Sequence, residues 1–395
     1  MIADFNCSNV MTHHWSSMLG YGKILREHGY QTELWLPTYT SIDIIEKLSR
    51  VAEVRRILTS NQYGASSVKN LVPYSITLFS EKIYPKIRDT MTGRCAKKFI
   101  INYIMRKPIK EIRALANKAD LVVVFPTLDY FSLQLVKELI KRDVPVEVSI
   151  RRIGSELKNP FSRGTEFEET KELCDALGRT KVRLGITTPK LLDKTKAEAN
   201  NPEKIFWCPL PPEELNLESQ YDKSEILTIG FPGAAKSRKG TTRIPEIISQ
   251  LKKTGLEFRI IFQKAPYPWE GYEEVLNKIR NSGIDHIELD AIQTIEEFER
   301  IFNLFDLVYL PYDPISYADA DSGILYQAAD RLIPIICPEG LGFSEEVFSF
   351  GTGVNENGFE DFAKSLKAAL SKDTQNQIIR YNIARKSATC AFLGI

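Results

Sequence analysis

Several common signatures are missing from this 395-residue chain, and each absence removes a class of function. Its six cysteines, Cys7, Cys95, Cys174, Cys208, Cys337 and Cys390, are scattered with no Cys-x-x-Cys pair, which argues against a structural zinc site and a disulfide framework and fits a reducing compartment. No apolar run approaches the ~18 residues needed to span a bilayer, and Met1 to Val10 is too polar for a signal peptide, so a cytoplasmic protein with at most peripheral membrane contact is expected. No Gly-x-Gly-x-x-Gly is present, which removes the simplest dinucleotide reading. Net charge is only +1, so global charge offers no argument for nucleic acid, and there are just four histidines to supply acid–base chemistry near neutral pH.

What the chain has is alternation. Short β-rich runs at Val54 to Leu58, Leu121 to Phe125, Val144 to Ile150, Val182 to Ile186 and Ile205 to Cys208 are separated by stretches of helical length. Such alternation predicts an α/β doubly wound domain. Trp207 to Tyr221 then changes character, with Pro209, Pro211 and Pro212 stiffening it against helix and sheet, and it is read as a linker. A second alternating half follows, with strands at Ile226 to Ile229, Phe258 to Phe262 and His286 to Leu289. The expected organisation is an N-terminal domain over 1–206, a linker over 207–223, a second domain over 224–374, and a C-terminal helix over 375–395.

Two loops in the second half carry the chemistry. Gly230 to Gly240, GFPGAAKSRKG, follows a strand and places Lys236, Arg238 and Lys239 within four positions of one another behind the small residues Gly233, Ala234 and Ala235. Small residues permit close approach and the cations neutralise a diphosphate. A P-loop would need Gly-Lys-Ser/Thr, and here the order is Lys-Gly-Thr; a plain basic turn is the other alternative. The second stretch runs from Leu304 to Pro338. It reads as a strand over Asp306 to Tyr309, a polar loop over Asp313 to Asp321, a helix from Ser322 to Asp330 and a strand over Ile333 to Cys337. Backbone N–H groups at Ser322 and Gly323 suit an anion, and Asp319 and Asp321 stand just before them. Any buried βαβ unit can produce the same pattern.

These two loops, in this order, resemble the nucleotide-sugar half of GT-B glycosyltransferases, particularly family 4, the group 1 glycosyl transferases. Their phosphate loop has the form Gly-x-x-Arg-x-x-Lys-Gly; here Lys236 stands at the Arg, and Lys239-Gly240 match. Their Glu-x7-Glu pattern corresponds to Asp319-x7-Gln327, so both glutamates are replaced. The resemblance implies two Rossmann-like domains facing across a cleft, with the final helix crossing back to the first domain. It implies a donor site of Gly233, Lys236, Arg238, Lys239, Ser322, Gly323 and Gln327, the last on the ribose hydroxyls, with Asp319 or Asp321 on the sugar. It also implies transfer from a nucleotide sugar to a glycan or lipid-linked acceptor in cell-surface polysaccharide assembly, retention of anomeric configuration, and neither metal nor cofactor. A nucleotide-sugar epimerase and a non-catalytic binding or scaffold protein remain alternatives.

The N-terminal half contributes acceptor-side expectations. His13 and His14 lie at a helix start and suit a general base, or else a cap and an exposed neighbour. Asp129, Arg151 and Arg152 are nominated because they follow strands; either arginine could hold an anionic acceptor or pair with the Glu166 to Glu169 run. From Lys69 to Lys118 twelve Lys and Arg face three acidic residues, interleaved with Tyr74, Phe79, Tyr84, Phe99 and Tyr103. That composition suits an anionic membrane surface or, equally, a solvated helix face.

Overall fold

A computed structural model describes residues 1–4, 7, 14–37, 40–58, 105–127, 130–144, 146–152, 182–214, 226–265, 268–290, 292, 294–354 and 362–395. His13, Asp129, the basic stretch before residue 105 and the second half of the proline-rich segment lie outside these residues, as does the Glu166 to Glu169 run.

The chain divides into two compact units. The first comprises Met1–Thr187, Leu192–Pro209 and Ala388–Ile395; the second comprises Thr188–Leu191 and Leu210–Ser387.

The first unit is built on a parallel sheet in the order β3-β2-β1-β4-β5-β6-β7. Its strands are β1 (Ile2–Ala3), β2 (Glu33–Pro37), β3 (Glu53–Leu58), β4 (Leu121–Phe125), β5 (Val146–Arg152), β6 (Val182–Ile186) and β7 (Ile205–Trp207). Its helices are α1 (His14–Glu27), α2 (Ile42–Ser49), α3 (residues 105–116), α4 (Tyr130–Lys141) and α5 (Pro189–Glu198), the last beginning in the segment grouped with the second unit. Central strands such as β4, LVVVF, read as unbroken apolar runs because a parallel sheet is covered on both faces. The helix α1 follows β1 and is buried through its first two turns, with Trp15, Met18 and Tyr21 in the core. One expectation needs correcting here. Arg151 and Arg152 do not follow a strand; β5 continues through them, and they pair with Gly185 and Ile186 of β6.

The second unit repeats the plan. Its sheet runs β10-β9-β8-β11-β12-β13, all parallel. The strands are β8 (Leu227–Phe231), β9 (Phe258–Gln263), β10 (Asp285–Leu289), β11 (Leu307–Tyr309), β12 (Ile335–Pro338) and β13 (Thr352–Val354). Around them lie α6 (Ile244–Lys253), α7 (Tyr272–Arg280), α8 (Ile295–Phe302), α9 (Gly323–Asp330), α10 (Ser344–Phe350), α11 (Phe362–Ala369) and α12 (Lys372–Leu393). Ile247, Ile248 and Leu251 give α6 an apolar face that packs with Ile229, Ile260 and Phe262 of the sheet. Thr294 caps α8 by accepting the Glu297 N–H through its hydroxyl at 3.1 Å. At the entrance of the central pair, the buried Asp306 carboxylate accepts the Thr228 amide at 2.7 Å while its own N–H donates to the Thr228 carbonyl, fixing β8 against β11.

In both units the chain first winds outward to one side, then returns to the middle and winds to the other. The reversal falls between β1 and β4 in the first unit and between β8 and β11 in the second. Crevices at the carboxyl ends of such strand pairs are where doubly wound sheets hold ligands. The loops after these four strands are therefore the places to look.

Candidate functional site

In the second unit the loop after β8 is folded into a fixed shape. Gly233 has φ +87°, and Ser237–Lys239 form a 3-10 turn closed by Gly240 at φ +71°. A side chain at Gly240 would meet the Pro311 carbonyl oxygen at 1.7 Å, so only glycine lets this loop lie on the end of β11. The Asp313 N–H donates to the Arg238 carbonyl at 3.1 Å, and the Thr241 hydroxyl donates to the Lys236 carbonyl and accepts the Lys236 N–H, each at 3.1 Å.

The three cations of this loop have different surroundings. Lys236 and Arg238 are exposed. Lys239 is half-buried and lines a pocket together with Phe231, Gly233, Thr241, Phe262, Gln263, Tyr309 and Tyr312. Its ammonium sits 5.7 Å from the centre of the Tyr312 ring, and a Cβ on Gly233 would be only 2.6 Å from it. Loss of hydration lowers the Lys239 pKa, and the nearby Arg238 lowers it further, while Tyr317 acts in the opposite sense. Among the described residues, no carboxylate pairs with it. Arg238 in turn lies 5.8 Å from the Tyr317 ring, and the Tyr312 and Tyr317 rings are 4.5 Å apart. The two cations thus stand on an aromatic floor. Burial pushes the Tyr312 hydroxyl up to about 12, opposed by its hydrogen bond with Ser322, so it stays a neutral phenol.

The loop after β11 leads to α9. Asp319 and Asp321 are partly buried within it. Gly342 packs against the backbone there, where a Cβ would lie 2.8 Å from the Ala320 oxygen. The helix start is less open than the pattern implies. Asp321 Oδ1 accepts the Ser322 N–H at 2.6 Å, which removes that amide from the donors available to an anion and leaves Gly323 as the candidate. The Ser322 hydroxyl donates to the Tyr312 oxygen at 3.3 Å instead of capping the helix.

Gln327 is buried on α9, and its amide is already engaged. Nε2 donates to Glu213 Oε1 at 3.1 Å, and Oε1 accepts from Arg331 Nη1 at 2.9 Å. One turn on, buried Asp330 accepts Arg385 Nη1 at 2.8 Å and the Glu213 N–H at 3.3 Å. Burial raises the Asp330 pKa to about 6 against the pull of Arg385, with Glu213 raising it further. Arg385, fully buried, also donates to the Leu210 carbonyl at 2.9 and 2.6 Å.

The first unit places a second cluster at its own reversal point. Asp4, immediately after β1, accepts His14 Nδ1 at 2.9 Å, and Thr127, beyond β4, reaches His14 Nδ1 at 3.1 Å and Asp4 Oδ2 at 3.4 Å. A carboxylate accepts, so this contact favours the proton on Nδ1 of the neutral ring. That tautomer is the one a general base uses. Sequence reading nominated His14 but passed over Asp4; an acidic residue directly after a first strand was the available signal. It also passed over Gln263, Tyr312 and Arg385, which stand in no motif.

Among the described residues no group of three or more His, Cys, Asp or Glu side chains is placed to hold a metal ion, and no helix is long and apolar enough to cross a membrane.

No protein-family model matches the chain, and no curated sequence does. Solved structures match it over nearly its full length. A glycosyltransferase from Rickettsia africae ESF-5 aligns with TM-score 0.58 and 14% identity, covering 100% of this chain and 95% of that one. The E. coli trehalose-6-phosphate structure bound with UDP-2-fluoro glucose aligns with TM-score 0.61 and 11% identity over 100% and 98%. Sucrose-phosphate synthase from Thermosynechococcus elongatus aligns with TM-score 0.55 and 13% identity over 99% and 96%. At such identities the likeness concerns the fold, and it agrees with two doubly wound parallel sheets in one chain. The chain has the GT-B fold.

Proposed function

We infer that the protein is a glycosyltransferase that moves a sugar from a nucleotide-sugar donor to a glycan or lipid-linked acceptor, in cell-surface polysaccharide assembly. The observation that carries this reading is Lys239: a cation without a carboxylate partner, in a pocket at the reversal point of the second sheet. A charge that has lost part of its hydration is costly unless something of opposite sign answers it, and a departing nucleoside diphosphate is such a group. Arg238, Lys236 and the Gly323 amide supply further positive potential in this reading, and Asp319 and Asp321 are the carboxylates we assign to the sugar. Gln327 fits the ribose only if its amide exchanges Glu213 or Arg331 for the ligand.

On the acceptor side, His14, oriented by the Asp4 carboxylate at Nδ1, suits a base for an acceptor hydroxyl. Retention of configuration and independence from metal follow from the resemblance alone, and peripheral contact with an anionic membrane is suggested only by the basic, aromatic-rich composition of 69–118.

The test is a thermal-shift panel of nucleoside diphosphates and nucleotide sugars, followed by product analysis with lipid-linked acceptors. Stabilisation by one donor, with turnover lost in Asp319→Asn or Asp321→Asn while nucleotide still binds, is the expected result. If no nucleotide raises the melting temperature, the transferase reading falls and a scaffold with this fold takes its place.

A further inference from the structure

A second side chain in the Lys239 pocket also lacks an acceptor. Gln263 ends β9, is 4% exposed, and lines the pocket. Its Nε2 is buried and has no hydrogen-bond partner among the described residues. The surroundings do not explain an amide here. Phe231, Phe262, Tyr309 and Ile244 form an apolar wall that Met or Leu would complete without leaving a donor unmet. A buried donor without an acceptor destabilises the protein that carries it, unless a ligand supplies the acceptor.

We propose that Gln263 is a further ligand-binding residue: its Nε2 donates to an oxygen of the diphosphate whose charge Lys239 neutralises. The proposal rests on the reading of this pocket as a nucleoside diphosphate site. The ligand class follows from the groups present. An ammonium has three donors and no acceptor, and the unmet atom of Gln263 is likewise a donor. A group whose oxygens only accept satisfies both, whereas a cation or an apolar group satisfies neither. Because Gln263 stands at the end of β9 and Lys239 in the loop after β8, the two reach the ligand from adjacent strands. This gives geometric selection that a single flexible lysine lacks.

The experiment measures inorganic pyrophosphate, UDP, GDP and ADP by calorimetry on the full chain, in wild type, Gln263→Met and Gln263→Glu. Wild type is expected to bind pyrophosphate, with Gln263→Met weaker by about tenfold. Gln263→Glu, which turns a carboxylate toward the anion and pairs with Lys239, is expected to bind weakest. The unliganded Gln263→Met protein should melt no lower than wild type, since its unmet donor is gone. A merely structural glutamine would give the reverse pattern, a lower melting temperature with unchanged affinity, and that overturns the proposal. Should Gln263→Met fail to fold, the side-chain amide resonances of wild type settle the matter: the Gln263 NH2 signal shifts on adding pyrophosphate, and a signal that stays in place overturns the proposal. Wild type that binds neither pyrophosphate nor any nucleoside diphosphate removes both this inference and the reading beneath it. Unchanged affinity in the Met variant removes this inference alone.

Discussion

Three cations crowd the loop after β8, but their surroundings separate them. Lys239 lines the pocket over Tyr312, whereas Lys236 is exposed and its charge is screened by water. Lys239→Ala is expected to weaken nucleoside diphosphate binding by about ten- to a hundredfold, since charge-assisted contacts are worth about 1.5 to 3 kcal/mol, and Lys236→Ala to change it far less. Equal losses in calorimetry would contradict the assignment. A pH effect accompanies it. The folded Lys239 pKa lies below the ordinary 10.5, so between that lowered value and 10.5 the unfolded chain holds a proton the folded one has lost. Stability of the unliganded protein should therefore rise with pH through that window, while affinity for the anion falls as the ammonium deprotonates. Denaturant titrations at several alkaline pH values, with and without UDP, check both signs.

Elements rather than single side chains hold the two loops in place. Gly240 lets the β8 loop close on Pro311, so Gly240→Ala meets both a left-handed backbone and a 1.7 Å overlap. A loss of about 3 kcal/mol or more is expected, seen as a lower urea midpoint, together with lost diphosphate binding. The helix α12 is fixed through Arg385, which spans Asp330 of α9 and the Leu210 carbonyl. Arg385→Met strands the Asp330 carboxylate and should cost about 3 to 5 kcal/mol at pH 8. With its folded pKa near 6 already above the usual 3.8, Asp330 binds more protons folded than unfolded between those values. Its ionisation therefore costs stability as pH rises through that window, and the penalty of the variant should shrink at pH 5. A loss equal at both pH values would deny Asp330 this role.

The sequence disclosed the elements that have a local cause. Leu121–Phe125 is an apolar run and Val182–Ile186 a short β-rich one, and the sequence places each strand at the residues where it stands. What escaped depends on tertiary placement. The N–H of Ser322 is open in the pattern, yet Asp321 occupies it. Gln327 has the length to reach a ribose, yet Glu213, more than a hundred residues earlier, holds its amide. Arg151 and Arg152 look like a loop because charges usually end strands, but pairing with β6 carries the strand through them.

At the scale of the whole molecule, both sheets show the same order about a central reversal. Each brings its candidate residues to the loops beyond its middle strands: Asp4 and Thr127 in one, Gly233 and Pro311 in the other. The helix α12 belongs to both units, ending the second at Ser387 and entering the first at Ala388. In the first unit the Phe392 ring lies 6.4 Å from that of Tyr21, and Arg183 donates to the Leu393 carbonyl at 2.7 Å. Deleting residues 388–395 is expected to raise hydrogen exchange in β5 and β6 while leaving β8 to β13 protected. Uniform loss of protection would mean the two units unfold as one.

The shared helix also orders events during synthesis. The first unit leaves the ribosome by Pro209 but lacks its own last piece until Ala388 and the residues after it emerge. At bacterial to eukaryotic elongation rates that interval lasts roughly ten to forty seconds. Throughout it, Tyr21 lacks the Phe392 ring it faces in the folded unit, and the Ser149 hydroxyl lacks the Phe392 carbonyl it donates to. The segment from Ala388 therefore joins the first unit only after the whole second unit, through Ser387, has been made.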